Sequence, residues 1–445
     1  MNLKTTIGTA AVLAALAIYI YHYEREPIEP ESEYERVFAF DPAAIQEIEL
    51  RPADAETVRI HRSGKDWRLV FPIDAAADAA AAGGLANAVS ILERIRVVAE
   101  GEVDLGVFGL DTPQLEVELK LQDVDEPVTL LVGGRTPVGN NVFARLAGGN
   151  EVFVMPEASK FTLDRSVWEL REKMVLHFDH ADVERIVLKQ PGKQVVLARR
   201  GEDLWNLVDP VATRADGQKS SAFISRLEIT KMQEIVSESD EELGQYGLKT
   251  PSYEVQLHLV DGRSETLLVG AQKDTNYYAR NPDRPLVYLI EGSVVNDIKR
   301  DATEYISKRL FEFDTYVANK FQIVSSDGVP RVFEKTQEDG QDVWKQTAPE
   351  VRDLETDRVE NLLYKLNGTT AETTTEAVGL DPPNYTITVW SNGGADVEEL
   401  VVGNPDGDAV YARREGDELI LKLPLSSWEE IETLMRFEDA PTSDN

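Results

Sequence analysis

The sequence contains no cysteine, which excludes several kinds of chemistry at once. Without thiols the chain can form no disulfide, thiolate nucleophile, zinc–thiolate site, iron–sulfur cluster or lipidated N-terminal cysteine. Basic side chains are also scarce: 46 Lys and Arg stand against 80 Asp and Glu, a formal net charge of −34. Because no basic face is visible, the composition argues against a nucleic-acid partner and against a protein lying flat on anionic lipid.

The signatures of the common catalytic sites are missing too. The sequence has no H-E-x-x-H, Walker A run, G-x-S-x-G, G-x-G-x-x-G after a strand, or EF-hand loop. His177 and His180 lie near Asp182, but a surface junction explains this group better than a metal site does. We therefore predict a non-catalytic protein with no catalytic residue, metal or cofactor. A hydrolase with paired carboxylates is a weaker alternative, because 80 acidic residues produce close pairs by chance.

One long uncharged run occurs, at the amino terminus. As a helix, residues 5–23 would span ~28 Å, close to the ~30 Å hydrocarbon core of a bilayer. Lys4 precedes the run and an acidic linker, residues 24–36, follows it, so the positive-inside rule predicts a cytoplasmic N-terminus. We expect an uncleaved transmembrane signal anchor in the inner (cytoplasmic) membrane, with the bulk of the chain periplasmic or extracytoplasmic. A cleaved signal peptide is the alternative.

Five short landmarks recur three times in the same order, which indicates a triplicated module. The first two are a tryptophan and a proline five residues later, and the tryptophans are Trp67, Trp205 and Trp344. A Gly-Leu turn follows in each copy, at Gly109, Gly247 and Gly379. Next comes a strand closing on Val-Gly, and then an aromatic-Ala-Arg triplet. The triplets are Phe143-Ala144-Arg145, Tyr278-Ala279-Arg280 and Tyr411-Ala412-Arg413.

The repeats divide the chain into segments with short joins. We predict repeat 1 at 37–177, repeat 2 at 178–312, repeat 3 at 313–439 and a tail at 440–445. A second helix in each repeat is expected to begin at Ser159, Ser293 or Ser426, of which Ser426 with Glu429 fits a capping box. The first helix is clearest in repeat 3, where apolar residues recur at i, i+3, i+4 and i+7: Val359, Leu362, Leu363 and Leu366.

Strand runs and helices in this order predict an α+β fold. We expect three tandem homologous repeats, each a mainly antiparallel sheet with two helices, after one N-terminal transmembrane helix. The turn glycines are expected to supply positive φ angles, and Gly133, Gly270 and Gly403 to end strands.

The aromatic-Ala-Arg triplets are the candidate ligand-binding residues. In an alternating strand the aromatic ring and the guanidinium share a face, with Ala on the other. The pairs Phe143/Arg145, Tyr278/Arg280 and Tyr411/Arg413 could thus hold a carboxylate or phosphate. The simpler interpretation is that each Arg neutralises a nearby carboxylate or covers apolar surface. The three landmark tryptophans are similarly better explained as core residues than as sugar-stacking platforms.

The order W-x-L-x-x-P, helix, (Y/F)-G-L-x-x-P, L-x-V-G, (Y/F)-A-R resembles the bacterial domain-of-unknown-function family 4340, over residues 40–439 in three copies. Members of that family look like membrane-anchored proteins encoded beside ABC-transporter genes of the gliding-motility type. The resemblance implies a membrane-anchored extracytoplasmic accessory or scaffold protein. Its partners would be the ABC permease and an auxiliary extracytoplasmic subunit. The alternative is an envelope ligand-binding module that holds an anionic glycan or peptide through the triplet strands.

Overall fold

The computed structural model describes residues 34–338 and 340–437. Three antiparallel sheets of nine strands dominate this part of the chain. It divides into two compact units, of which the first ends at Lys173 and the second begins at Met174. The first unit contains the first sheet, and the second unit contains the second and third sheets.

The first unit has eleven strands and three α-helices in its described residues. The strands are β1 (Glu35–Arg36), β2 (Ile45–Pro52), β3 (Val58–Ser63), β4 (Asp66–Phe71), β5 (Ala75–Ala76), β6 (Glu93–Arg94), β7 (Arg96–Glu100), β8 (Leu115–Leu121), β9 (Val128–Arg135), β10 (Asn141–Leu146) and β11 (Glu151–Pro156). The helices are α1 (Ala79–Ser90), α2 (Glu157–Leu163) and α3 (Val167–Leu170). The nine-stranded sheet has the order β5-β4-β3-β2-β8-β9-β10-β11-β7, and β1 pairs with β6 separately.

The second sheet repeats this order with its own strands. They are β12 (Val183–Gln190), β13 (Lys193–Arg199), β14 (Trp205–Asp209), β15 (Thr213–Ala215), β16 (Glu234–Ser237), β17 (Tyr253–Leu259), β18 (Ser264–Lys273), β19 (Asn276–Arg280) and β20 (Val287–Glu291). Helices α4 (Gly217–Glu228) and α5 (Gly292–Ile298) accompany them. The order is β15-β14-β13-β12-β17-β18-β19-β20-β16.

The third sheet has the order β24-β23-β22-β21-β26-β27-β28-β29-β25, which is again the same. Its strands are β21 (Ala318–Ser325), β22 (Pro330–Glu338), β23 (Gln341–Ala348), β24 (Arg352–Asp353), β25 (Glu372–Thr374), β26 (Tyr385–Ser391), β27 (Asp396–Val402), β28 (Ala409–Arg414) and β29 (Ile420–Pro424). Its helices are α6 (Thr356–Gly368) and α7 (Leu425–Met435).

The α+β prediction is wrong, because antiparallel sheet dominates: strands hold 43% of the residues and helices 21%. The sequence suggests a hairpin group, a helix and a separate meander. In the structure β2 pairs with β8 along its length, as do β12 with β17 and β21 with β26, so the two strand groups form one continuous sheet. Two- to five-residue edge strands such as β5, β7 and β24 complete it, and they are too short to show alternation in the sequence.

The membrane predictions are also corrected. Among residues 34–338 and 340–437, no helix is both long and apolar enough to cross a bilayer. The 13-residue α6 reaches ~20 Å, against the ~30 Å that a bilayer core requires. The predicted transmembrane span, residues 5–23, lies outside the described residues, as does the tail at 440–445. The single-pass inner-membrane location therefore has no support and is not retained.

Two local predictions at chain and helix ends are wrong in detail. The end of the predicted acidic linker forms β1, whose Glu35 pairs with Arg94 at 2.7 Å. Helix α7 begins at Leu425 after Pro424 and has no side-chain cap, so the capping box at Ser426 does not form. A capping box occurs instead at Ser166 and Glu169, at the start of α3.

A single apolar layer lies on one face of each sheet and is covered by the helices. Strand β8 illustrates the cause, because Leu115, Val117 and Leu119 alternate with charged residues and are all fully buried. On α6 the four periodic residues are buried against the third sheet, which places the helix over the core.

The turn glycines adopt the conformation that the sequence predicts. Gly109, Gly247 and Gly379 have φ angles of 66°, 69° and 69°, a left-handed region that costs glycine nothing. The strand glycines have a different purpose. Strands β9 and β18 continue past Gly133 and Gly270, and a Cβ at Gly270 would lie 2.2 Å from the Tyr246 carbonyl oxygen. The turn and the strand therefore approach so closely that no side chain fits.

Replacing Gly270 by Ala should destabilise the second unit by about 1–3 kcal/mol, because the new methyl collides with backbone that cannot move aside. Denaturant unfolding of the full chain measures this loss. Gly244→Ala is the matched control, since nothing lies within 4 Å of a Cβ built there. Equal stability of the two variants would contradict the close-approach explanation.

The outer face of the first sheet carries an ionic cluster. Glu49 is 6% exposed and accepts hydrogen bonds from Arg51, at 2.6 Å, and from Arg59. Arg51 also binds Glu118 at 2.8 Å. Burial alone would raise the pKa of Glu49, but the hydrogen bonds from Arg59 and Arg51 outweigh it and leave that pKa below its usual value.

A carboxyl with a depressed folded-state pKa stabilises the protein above the pKa of the unfolded chain and loses that contribution as the pH falls. We therefore expect Glu49→Gln to lower the unfolding free energy at pH 7 and to flatten its decline on acidification below roughly pH 4.5. Urea titrations from pH 7 to pH 3 provide the test. The exposed residue Glu126 serves as control, and Glu126→Gln should leave the profile unchanged.

Candidate functional site

The aromatic-Ala-Arg triplets alternate as expected. Their alanines, Ala144, Ala279 and Ala412, are fully buried on the core face of each sheet. The aromatic and arginine side chains therefore lie on the opposite face. The structure thus places the three candidate pairs at equivalent positions of three different sheets.

The three arginines have different surroundings. Arg145 is half-buried and donates to the Gly149 carbonyl. Arg280 is buried and donates to Asp240 Oδ2 at 3.2 Å and to the Pro282 carbonyl at 3.3 Å. Arg413 is exposed. A shared ligand-binding role for the three residues stays a prediction.

The triplet aromatics pack against the Gly-Leu turns. The Phe143 ring lies edge-on to Phe108, with centroids 5.1 Å apart, and Tyr278 lies 4.9 Å from Tyr246. Tyr411 is 6% exposed and packs in a small cluster with Val378 and Leu380. Each ring thus contacts the residue that precedes its turn glycine, a packing role that the sequence reasoning missed.

The landmark tryptophans are core residues. Trp67, Trp205 and Trp344 are 4%, 0% and 1% exposed. A cation lies over each ring, and in every sheet it comes from the directly paired residue of the preceding strand. The cations are Arg62 at 4.4 Å, Arg199 at 4.7 Å and Lys335 at 5.6 Å from the ring centroid. Register, rather than any motif, would have revealed these partners.

A buried ionic network joins the second and third sheets within the second unit. Arg214, on edge strand β15, binds Glu398 of β27 at 2.6 Å, and both side chains are less than 10% exposed. The Glu418 amide donates to the Ala212 carbonyl at 2.8 Å beside this pair. These contacts fix one edge of the second sheet against a strand of the third.

A second ion pair continues the network. Arg414 binds Asp417 at 2.6 Å, with side chains 1% and 4% exposed, and Asp417 also accepts a hydrogen bond from Thr213 at 2.9 Å. Arg414 further donates to the Arg309 and Ser307 carbonyls at 2.8 and 3.2 Å. Burial lowers the pKa of the Arg414 guanidinium, and the Asp417 carboxylate acts in the opposite direction.

The network is balanced in charge. Arg200 pairs with Glu312 at 3.0 Å and reaches Glu398 at 3.6 Å, so three arginines face three carboxylates. Buried ions are tolerated when each charge is paired and its remaining groups are hydrogen-bonded. We call these six residues the junction network: Arg200, Arg214, Arg414, Glu312, Glu398 and Asp417.

Repeat-based reasoning could not find this network, because its central residues are not repeated. Arg214 lies nine residues after Trp205, and the residues nine positions after Trp67 and Trp344 are Ala76 and Asp353. Counted from the triplets, Arg414 corresponds to Leu146 and Asn281. A search for shared residues discards these positions.

Removing one member of a buried pair leaves an unpaired charge, so Glu398→Ala should destabilise the second unit by about 3–5 kcal/mol. The double variant R214A/E398A should lose less than the sum of the two single variants, because neither charge is then left alone. Denaturant unfolding of the unmodified chain, the two single variants and the double variant gives the four free energies of this double-mutant cycle. The exposed pair Lys320–Glu334 is the control, and its removal should cost about 1 kcal/mol or less.

An open cleft of about 620 Å³ lies beside the junction network. One wall is the first turn of α4, and another is the segment 306–309, which bridges to Ala215 and Thr370. Glu312 belongs to both the cleft and the network. A smaller groove of about 300 Å³, on β14 and β15, adjoins Arg214 and Asp417. The two openings are the candidate functional site of the second unit.

The described residues were compared with the side-chain groupings that bind metal ions. Within 34–338 and 340–437, no group of three or more His, Asp or Glu side chains is placed to hold a metal ion. His177, one of the pair considered above, is contacted by the Arg284 guanidinium, which also donates to the Met174 carbonyl at 2.9 Å.

The fold defines a class of protein built from tandem nine-stranded antiparallel sheets, two of which share a buried ionic junction. The sequence profile of a domain of unknown function, DUF4340, matches residues 67–206 and 205–378. These segments together cover more than half of the chain, which therefore belongs to this family. No curated protein and no solved structure matches it.

Proposed function

We propose that this chain is a non-catalytic accessory, or scaffold, protein of an ABC-transporter-type complex. Its partners would be the permease and an auxiliary subunit, the partner class that the family resemblance implies. The proposal rests on binding surfaces rather than on a reaction.

One observation carries the scaffold role: the junction network fixes the second and third sheets as one body. Association costs conformational freedom, and surfaces that are already held in place lose less of it on binding. Two sheets fixed by buried ion pairs and by the backbone bond from Glu418 to Ala212 can present partner contacts at a constant spacing. A scaffold needs this property, whereas an enzyme depends on one convergent pocket.

We further infer that the three sheets are copies of one unit. The identical strand orders support this, as do the cation–tryptophan pairs at equal positions.

A ligand-binding module for an anionic glycan or peptide is the second candidate. The observation in its favour is the exposure of Arg413, whose guanidinium lies on the outer face of the third sheet. The buried Arg280, already bound to Asp240, fits this role less well.

Co-purification tests the scaffold proposal. The full chain, tagged and expressed with an ABC-transporter permease and an auxiliary subunit from the same organism, should be recovered with both in mild detergent. Glu398→Ala should reduce this recovery, because it loosens the junction, and Lys320→Ala should not. Recovery of the unmodified chain alone in several mild detergents would contradict the proposal.

A further inference from the structure

The junction cleft has the size and place of a ligand site. Its volume of about 620 Å³ falls within the roughly 300–1,000 Å³ of typical small-molecule pockets. Such pockets favour the interfaces between packed substructures, and this one lies where the second and third sheets meet inside one compact unit.

Two of the three carboxylates in the lining are engaged by other groups of the protein. Asp216 caps α4 by accepting the Lys219 amide at 3.1 Å, and Glu312 pairs with Arg200 at 3.0 Å. Asp203 interacts electrostatically with Arg199. Two of the three lining carboxylates are therefore engaged by an amide and a guanidinium group that belong to the protein.

The cations in the lining are not compensated in the same way. Lys308 and Arg309 are exposed at the cleft, and neither side chain has an ion-pair or hydrogen-bond partner among residues 34–338 and 340–437. Lys219 donates to the Glu304 carbonyl at 2.7 Å, a neutral acceptor, with Asp216 more distant at 3.6 Å. Of the three cations and three carboxylates that line the cleft, Lys308 and Arg309 are therefore the cations left available to a ligand.

A buried hydroxyl group lies in the same lining. Ser221 Oγ is shielded from solvent and has no hydrogen-bond partner in the described part of the chain. A buried polar atom left unpaired is costly. Because solvent does not reach Ser221 Oγ, a ligand oxygen in the cleft would bind it only after the serine side chain rotates toward the opening.

We propose that the junction cleft binds a small anion bearing a carboxylate or phosphate group. Lys308 and Arg309 supply the charge, since a guanidinium presents two parallel donors to a carboxylate or phosphate and an ammonium adds a point charge. Ser221 supplies a hydroxyl donor. The site is distinct from the aromatic-Ala-Arg triplets, and it goes beyond the scaffold role because it requires no protein partner.

The test uses the purified full chain and two probes, inorganic phosphate and succinate, titrated at constant ionic strength by calorimetry and by thermal shift. We expect saturable binding of at least one probe, with a melting temperature that rises with probe concentration. The double variant K308Q/R309Q should bind that probe about tenfold more weakly. Ser221→Ala should weaken binding about threefold without loss of fold.

The control variant is R185Q/K249Q, which removes the same charge from two exposed residues outside the cleft. It should retain the affinity of the unmodified chain. Preference for phosphate or for succinate identifies the ligand chemistry. The proposal is overturned if neither probe saturates, or if K308Q/R309Q and the control lose affinity equally. Neither outcome depends on the permease, so the two proposals can fail separately.

Discussion

The central strand pairing of each sheet is the constraint on which the rest of the structure depends. Where β12 pairs with β17, each strand presents alternating apolar residues to the same face, so a shift by one residue would expose the whole set. Ile186 faces Leu257 and Leu188 faces Val255, and all four are buried. This pairing fuses two strand groups into one sheet, and the helices then have a single apolar face to cover.

The junction network meets a second constraint, which is the disposal of charge. The chain has 34 more carboxylates than basic residues, and most of the excess must remain in water. At the junction three carboxylates are instead buried, and each faces an arginine. Because arginine offers several donors in a planar arrangement, Arg414 can bind Asp417 and two backbone carbonyls together. Lysine, with a single nitrogen, could not replace it.

The sequence was informative where one residue type serves one local purpose. The φ angles of Gly109, Gly247 and Gly379 followed from the turn motif, and the buried face of α6 followed from its period. Pairing between distant strands was not predictable. The alternation of apolar residues shows which face of a strand is buried, but it does not show which other strand pairs with it. The fold class was therefore wrong.

The residues of the candidate site were even harder to predict from the sequence. Lys308, Arg309 and Ser221 belong to no motif, and they meet only because the segment between the second and third sheets runs past the start of α4. The triplets attracted attention because they recur, and the contacts of Phe143 and Tyr278 with the turn aromatics show that two of the three aromatic rings have a packing role.

The difference between the repeated residues and those of the junction has a physical cause. In an array of copies, residues required for the fold must be present in every copy, whereas a junction or a ligand site forms once and needs residues that differ between copies. Arg214, replaced by Ala76 and Asp353 at the corresponding positions, follows this rule. In this chain the junction network therefore forms where the sequence departs from the repeated pattern.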